Sequence, residues 1–307
     1  MNFQRRILLG AVGALAVACT KDKAVSAASK NASKTSTISA DIVDAPAILK
    51  AGYKPSFSDD FTNTDLRRLS EAGTVSSGDA PAWRSRYRHP RKDFINKEKQ
   101  IYVDPAYAGT GNKPLGINPF LFHDGTLSII AERTPPEHLG VLYGQKYTSG
   151  AITTELSHQQ TYGFFEMRAK LPVGKGFWPS FWLMPVRQAW PPEIDVIEAN
   201  GDKPGVYHFA VRNPGDKKGA ASDWVEIGTG TDGWQTFACE WTKERIAFFV
   251  DGKRYWYVDG HKIHEPMYML ANLALGSHDP YWIPDPDEST PLPASLQIDY
   301  INAFSRA

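Results

Sequence analysis

The chain has 307 residues, 42 % of them apolar, and its 34 basic residues are balanced by 34 acidic ones. That length allows one large core, and a neutral balance without Lys or Arg runs interleaved with aromatics excludes an electrostatic nucleic-acid groove. Aromatic content is high at 12 %, enough to fill a core and leave rings free to stack on something flat, such as a sugar.

The N-terminus, MNFQRRILLGAVGALAVACTKDK, has a basic start (Arg5, Arg6), an apolar stretch from Ile7 to Ala18 and small residues before Cys19. This is the form of an export signal, too short to span a bilayer. LAVAC is similar to a bacterial lipoprotein box with Ala16 where Leu is usual. Ala16-Val17-Ala18 suits an ordinary signal peptidase equally, and the paired arginines fit an incomplete twin-arginine motif. Residues 1–19 are thus expected to direct export to the cell envelope or medium, with Cys19 lipidated as a membrane anchor or removed. Residues 20–45, rich in Ser, Ala, Thr and Lys, read as a flexible tether. No disulfide is expected from two cysteines, and Cys239 in TFACEW alternates as a core-facing strand residue.

From 46 to 307 the chain reads as one domain of short alternating segments between Gly, Pro, Asn and Asp clusters. In order they include GTLSIIAER (125–133), YGFFEMRAKLP (162–172), GKGFWPSFWLMP (174–185), EIDVIEA (193–199), GVYHFAVRN (205–213), a long segment from Trp234 to Trp256, and SLQIDYINAF (295–304). Asp251-Gly252 between two apolar runs predicts a hairpin. No sustained 3.6-residue period appears. The fold expected is all-β, an antiparallel β-sandwich of jelly-roll type.

PPEIDVIEAN carries Glu193, Asp195 and Glu198 in a segment whose apolar residues say strand. Glu193 and Asp195 share a face. Glu198 joins them only if an extra residue, a β-bulge near Val196-Ile197, restores the parity. Paired carboxylates on one face are what glycosidic-bond cleavage needs. Four strand steps, roughly 13 Å at ~3.3 Å per residue, less the reach of two Glu side chains, leave roughly 5 Å, the retaining separation. Acids this close titrate as a coupled set. Trp178 and Trp182, four apart, share a strand face and offer stacking platforms, and Trp190 flanks the acids. Glu166 and Arg168 alternate opposite Phe165 and Met167, on a solvent or cleft face.

With these residues in view, E-I-D-V-I-E resembles the bulged E-x-D-x-x-E signature of glycoside hydrolase family 16. YTSGAITT (147–154), residues 161–185 and WPPEIDVIE (190–198) are similar to its bacterial laminarinases, β-glucanases and exopolysaccharide-cleaving members. The likeness runs from FSDDF (57–61) to IDYINAF (298–304), and residues 46–307 are the catalytic domain it implies. The resemblance implies a concanavalin A-like jelly roll with a carbohydrate cleft on its concave sheet. It implies Glu193 as nucleophile, Glu198 as acid then base, and Asp195 as the assisting carboxylate. It further implies substrate contacts from Glu166, Arg168, Trp178, Trp182, His208 and Asn272. A structural calcium at Asp299, with Gly125 and Ser58 or Asp59 as companions, belongs to the same pattern, and no cofactor is expected for catalysis. Residues 213–224 depart from the laminarinase continuation. The expected activity is a retaining endo-β-glycosidase acting on β-1,3- or β-1,3-1,4-glucan, or on a glucose- and galactose-containing exopolysaccharide. Agarase- or carrageenase-type galactanase, transglycosylase and a non-catalytic surface sugar-binding protein stand as alternatives, and a monomer is expected.

Overall fold

The structure is a computed structural model, and it describes residues 52–62, 83–87, 89–187, 189–216, 220–228, 233–277 and 279–306. The export signal, Cys19 and the tether lie outside the described residues. In chain order the first strands are β1 (Tyr53–Asp59), β2 (Gln100–Tyr102), β3 (Phe120–His123), β4 (Thr126–Arg133), β5 (Tyr147–Ser149), β6 (Ala151–Thr153), β7 (Gly163–Lys170) and β8 (Phe177–Pro185). They are followed by β9 (Glu193–Ala199), β10 (Val206–Arg212), β11 (Ala221–Glu226), β12 (Gln235–Trp241), β13 (Arg245–Val250), β14 (Lys253–Asp259), β15 (Met267–Leu275) and β16 (Ala294–Arg306). Helix among the described residues is confined to two single 3-10 turns, Ile95–Lys97 and Pro136–His138.

The strands form two sheets. A ten-stranded one runs β14-β13-β12-β7-β16-β4-β5-β2, with β1 on β16 and β3 on β4; a six-stranded one runs β11-β10-β9-β8-β15-β6. Pairing is antiparallel except between β2 and β5, which run parallel. The expected jelly-roll sandwich is the fold observed.

Strand alternation builds the core. Phe165, Met167 and Ala169 of β7 and Phe237, Cys239 and Trp241 of β12 point inward from the ten-stranded sheet. They meet Phe177, Phe181 and Leu183 of β8 and Met267, Met269, Ala271 and Leu273 of β15. Each of the Phe, Leu and Met side chains among them, removed from water, contributes about 1.5–3 kcal/mol, so the inward face fixes the register of the strands. Cys239 is a free, buried thiol, and burial pushes its pKa up, as a core residue requires. The hairpin at Asp251-Gly252 forms, with φ of 49° and 74°, the left-handed pair that a two-residue type I′ turn demands.

The bulge in β9 is present. Phe181 pairs with Ile197 and Trp182 with Asp195, so Val196 is the extra residue. Val196 and Ile197 consequently both reach the core, and the parity of the acids is restored.

Candidate active site

The face of the six-stranded sheet opposite the core lines a cleft of about 610 Å³. Its floor follows from alternation: Trp178, Ser180, Trp182 and Met184 from β8, and Tyr268, Leu270, Asn272 and Ala274 from β15, face the space their odd-numbered neighbours leave for the core. Glu193, Asp195 and Glu198 line the same cleft from β9. The bulge thus brings together the three acids that the sequence grouped.

Each acid has a different setting. Glu193 accepts from Trp190 Nε1 at 2.9 Å on Oε2 and from Arg212 Nε at 3.2 Å on Oε1. Arg212 lies opposite Glu193 across the β9–β10 pair, and its guanidinium sits 5.5 Å from the centre of the Trp190 ring. Burial pushes the Glu193 carboxyl up to about 7; the Trp190 bond and Arg212 pull against that, and the charge of Glu198 adds to it. Asp195 is 5 % exposed. Burial first, then the charges of Glu193 and Glu198, hold its carboxyl well above the usual range. Glu198 accepts from Trp178 Nε1 at 3.1 Å on Oε1, and His208 Nδ1 lies 2.9 Å from Oε2. One end of the row is therefore held by a guanidinium and an indole, the other by an imidazole and an indole. Carboxyl groups in such unlike settings can divide proton-donating and proton-free roles between them.

Of the other expected contacts, Trp178, Trp182 and Asn272 line the cleft. Trp182 Nε1 donates to Asn272 Oδ1 at 2.8 Å. His208 is 4 % exposed and packs against both Trp224 and Trp282, with ring centres 4.9 and 4.3 Å away. It supports Glu198 rather than offering a polar edge to the open cleft.

Glu166 and Arg168 do not belong to the site. Their strand, β7, lies between β12 and β16 in the ten-stranded sheet; the alternation is as expected, but the polar face is that sheet's outer one. Tyr300 donates its hydroxyl to Glu166 at 2.9 Å, and Arg168 pairs with Asp299 beneath the Trp234 ring, 5.1 Å from its centre. The residues expected to hold calcium lie on the same side of the molecule as this pair. β16 bulges between Ile298 and Tyr300, and the Asp299 carboxylate is taken by a guanidinium. Asp59 accepts from the Phe61 N–H and from Trp83 Nε1, and Ser58 donates to Asn302. Among the described residues no group of three or more His, Cys, Asp or Glu is arranged to hold a metal.

Sequence reasoning missed Arg212, Glu98, Tyr102 and Trp282. Arg212 was within reach, since it sits four residues after His208 on the same strand and therefore on the same face. Glu98 and Trp282 come from irregular segments with no period to read.

Comparison with known proteins agrees with this geometry. The model of glycosyl hydrolases family 16 matches residues 123–277. The chain is 35 % identical over 254 residues to the endo-1,3-1,4-beta-glycanase ExsH of Rhizobium meliloti (strain 1021), covering 81 % of this chain and 51 % of that protein. It is 31 % identical over 209 residues to the beta-glucanase of Rhodothermus marinus, covering 59 % of this chain and 68 % of that one. The laminarinase catalytic domain of Thermotoga maritima MSB8 superposes with a TM-score of 0.65 at 25 % identity, over 83 % of this chain and 99 % of that domain. The chain spans about half the length of ExsH.

Proposed function

The chain belongs to glycosyl hydrolases family 16, and from that premise we propose that it is an endo-β-glycanase that hydrolyses a β-linked glucan by double displacement. The observation that carries the reading is the row Glu193, Asp195, Glu198 on one cleft face, with the two ends in unlike settings. In this reading Glu193 attacks the anomeric carbon and the glycosidic C–O bond breaks. Glu198 gives its proton to the departing oxygen, leaving a glycosyl ester on Glu193. Glu198, now a carboxylate, takes a proton from water; the hydroxide oxygen bonds to the anomeric carbon and Glu193 leaves. Arg212 and Trp190 orient Glu193 and favour its proton-free form against the effect of burial, while Asp195 lies between the two groups whose charges change. The indole and pyranose-sized apolar floor of Trp178 and Trp182 supports stacking of sugar rings.

The relatives named beta-glucanase and glucan endo-1,3-beta-glucosidase support glucan as the sugar, and export to the cell envelope is part of the proposal through the N-terminal signal. The test is reducing-end release by residues 45–307 from laminarin, mixed-linkage glucan, agarose, κ-carrageenan and a succinoglycan-type exopolysaccharide, with Glu193→Gln in parallel. Release from a glucan that disappears in the variant is expected. Binding without release from any substrate overturns the enzyme reading in favour of a sugar-binding protein.

A further inference from the structure

A fourth carboxylate, Glu98, stands in the cleft wall and has no part in the reaction above. The chain delivers it from the turn after Ile95–Lys97, where Asn96 and Lys97 both have positive φ, 54° and 56°. The turn is tied to the end of β15: Lys99 N–H donates to Leu275 O at 2.8 Å, and Leu275 N–H donates to Gln100 Oε1 at 2.7 Å. Gln100, itself 2 % exposed, then donates its Nε2 to Glu98 Oε2 at 2.6 Å. Tyr102 donates its hydroxyl to the same oxygen at 3.2 Å. Both bonds fall on Oε2, which leaves the acceptor capacity of Oε1 unspent. Burial pushes this carboxyl up to about 7 despite those two bonds, with the charge of Glu198 adding to the rise. A half-buried carboxylate with an open oxygen is stabilised by further donors, and sugar hydroxyls are donors.

The surroundings say where those hydroxyls would lie. Asn272 Nδ2 donates to the Tyr102 hydroxyl at 3.1 Å, and Trp182 Nε1 donates to Asn272. Glu98 therefore ends a hydrogen-bonded line that begins at a ring on the cleft floor. Tyr87 packs edge-on against both Tyr102 and Trp182, at 4.9 and 5.6 Å, closing the apolar side. The charges narrow the occupant. Glu98 and Asp279 add two carboxylates to the three on β9, and Arg212 is the one guanidinium lining the cleft among the described residues. Arg212 is already spent on Glu193.

Resting on the glycanase reading, we infer that Glu98 is a specificity-determining residue: its open oxygen accepts hydroxyls of a pyranose stacked beside Trp182, and its charge confines that subsite to uncharged units with free hydroxyls. A sulfated, pyruvylated or uronic unit placed there meets the Glu98 anion, and among the described residues the basic side chains lining the cleft are Arg212, held by Glu193, and His89.

The experiment uses one β-glucan backbone in three forms: unsubstituted, hydroxyethylated, and carboxymethylated to the same degree. The two ethers block hydroxyls alike and differ in charge. Wild type, Glu98→Gln and Glu98→Ala are compared in kcat/KM at pH 8, above the value of about 7 to which burial pushes the Glu98 carboxyl, with melting temperature as the check on folding. Wild type should prefer the hydroxyethyl over the carboxymethyl polymer, and Glu98→Gln should narrow that preference by about tenfold, a like-charge effect. Glu98→Ala should lower kcat/KM on the unsubstituted glucan by roughly ten- to a hundredfold, the size of a hydrogen bond to a charged acceptor. An unchanged carboxymethyl-to-hydroxyethyl ratio in Glu98→Gln overturns the inference. Should wild type cleave none of the polymers, retardation of the same three proteins in gels containing each polymer reads the same ratio. A charge preference that Glu98→Gln abolishes there upholds the subsite and sinks only the hydrolytic reading.

Discussion

The two sheets obey the same alternation and treat their acids in opposite ways. On the ten-stranded sheet four acids meet a partner: Asp299 has Arg168, Glu166 has the Tyr300 hydroxyl, Glu240 has the Tyr53 hydroxyl at 2.7 Å, and Asp259 has Arg245 at 2.6 Å. Hydrogen bonding to Arg245 holds Asp259 below the usual carboxylate range. On the six-stranded sheet three acids share a cleft lined, among the described residues, by one guanidinium, and burial holds Asp195 well above that range. Stability alone does not favour such an arrangement, since buried charge without compensation is costly. Charge left uncompensated, more than polarity itself, marks the face that does chemistry.

The sharpest way to break this contrast is to remove the acids one at a time. Glu193→Gln keeps the shape and loses the attacking oxygen, so kcat should fall by about 10⁴-fold or more with the melting curve preserved. Glu198→Gln should cost roughly 10²–10⁴-fold on polysaccharide, the contribution of a positioned acid, and much less on an aryl glycoside whose leaving group needs no proton. Parallel kinetics on both substrates separate the roles; an equal loss on both would remove Glu198 from the acid's position.

Arg212→Gln tests the compensation that the cleft does retain. Arg212 pulls the Glu193 carboxyl down against burial, so without it the proton-free form is reached only at higher pH. Activity below pH 7 should drop by about three- to tenfold more than activity at pH 8, because the midpoint of the acid limb moves upward. A uniform loss at all pH values would show that Arg212 orients Glu193 without setting its charge.

How much of this contrast was legible in the sequence depended on the range of the interactions. The three acids and the bulge could be read because Val196 and Ile197 are consecutive apolar residues in an otherwise alternating strand, a local pattern. Trp178 and Trp182 followed from parity alone. Glu166 and Arg168 also had the right parity, yet parity says only that a residue faces away from Phe165 and Met167. It does not say which sheet the strand joins. That was settled by β7 pairing with β12 and β16, both distant in sequence. Glu98 rests on a turn with two left-handed residues, for which neither Asn96 nor Lys97 gave a periodic signal.

Asp195→Asn should sharpen the comparison through stability. Burial raises the folded-state carboxyl well above the 3.8 of a solvated aspartate, so on folding this group holds a proton that the unfolded chain has already released. Its contribution is fully present below that value and is lost as pH rises toward the folded-state value. Asparagine carries no such penalty. The variant's melting temperature should therefore exceed that of the wild type by roughly 2–4 °C or more at pH 8, with the gap closing toward pH 4. Melting curves that stay parallel between those limits would mean that the neighbouring acids already take up the charge.

The smallest effect is expected where the sequence placed a substrate contact and the structure does not. Arg168 and Asp299 are 37 % and 36 % exposed, so their attraction is screened by solvent and offset by the ordering of a long side chain. Arg168→Met should change stability by about 0–1 kcal/mol, with part of the loss coming from the Trp234 ring that the guanidinium covers. Hydrolysis of the preferred glucan should stay within about twofold of wild type, since no part of β7 lines the cleft. A fall in kcat/KM of about tenfold, with the melting temperature unmoved, would return this strand's polar face to the substrate and undo the distinction between the two sheets.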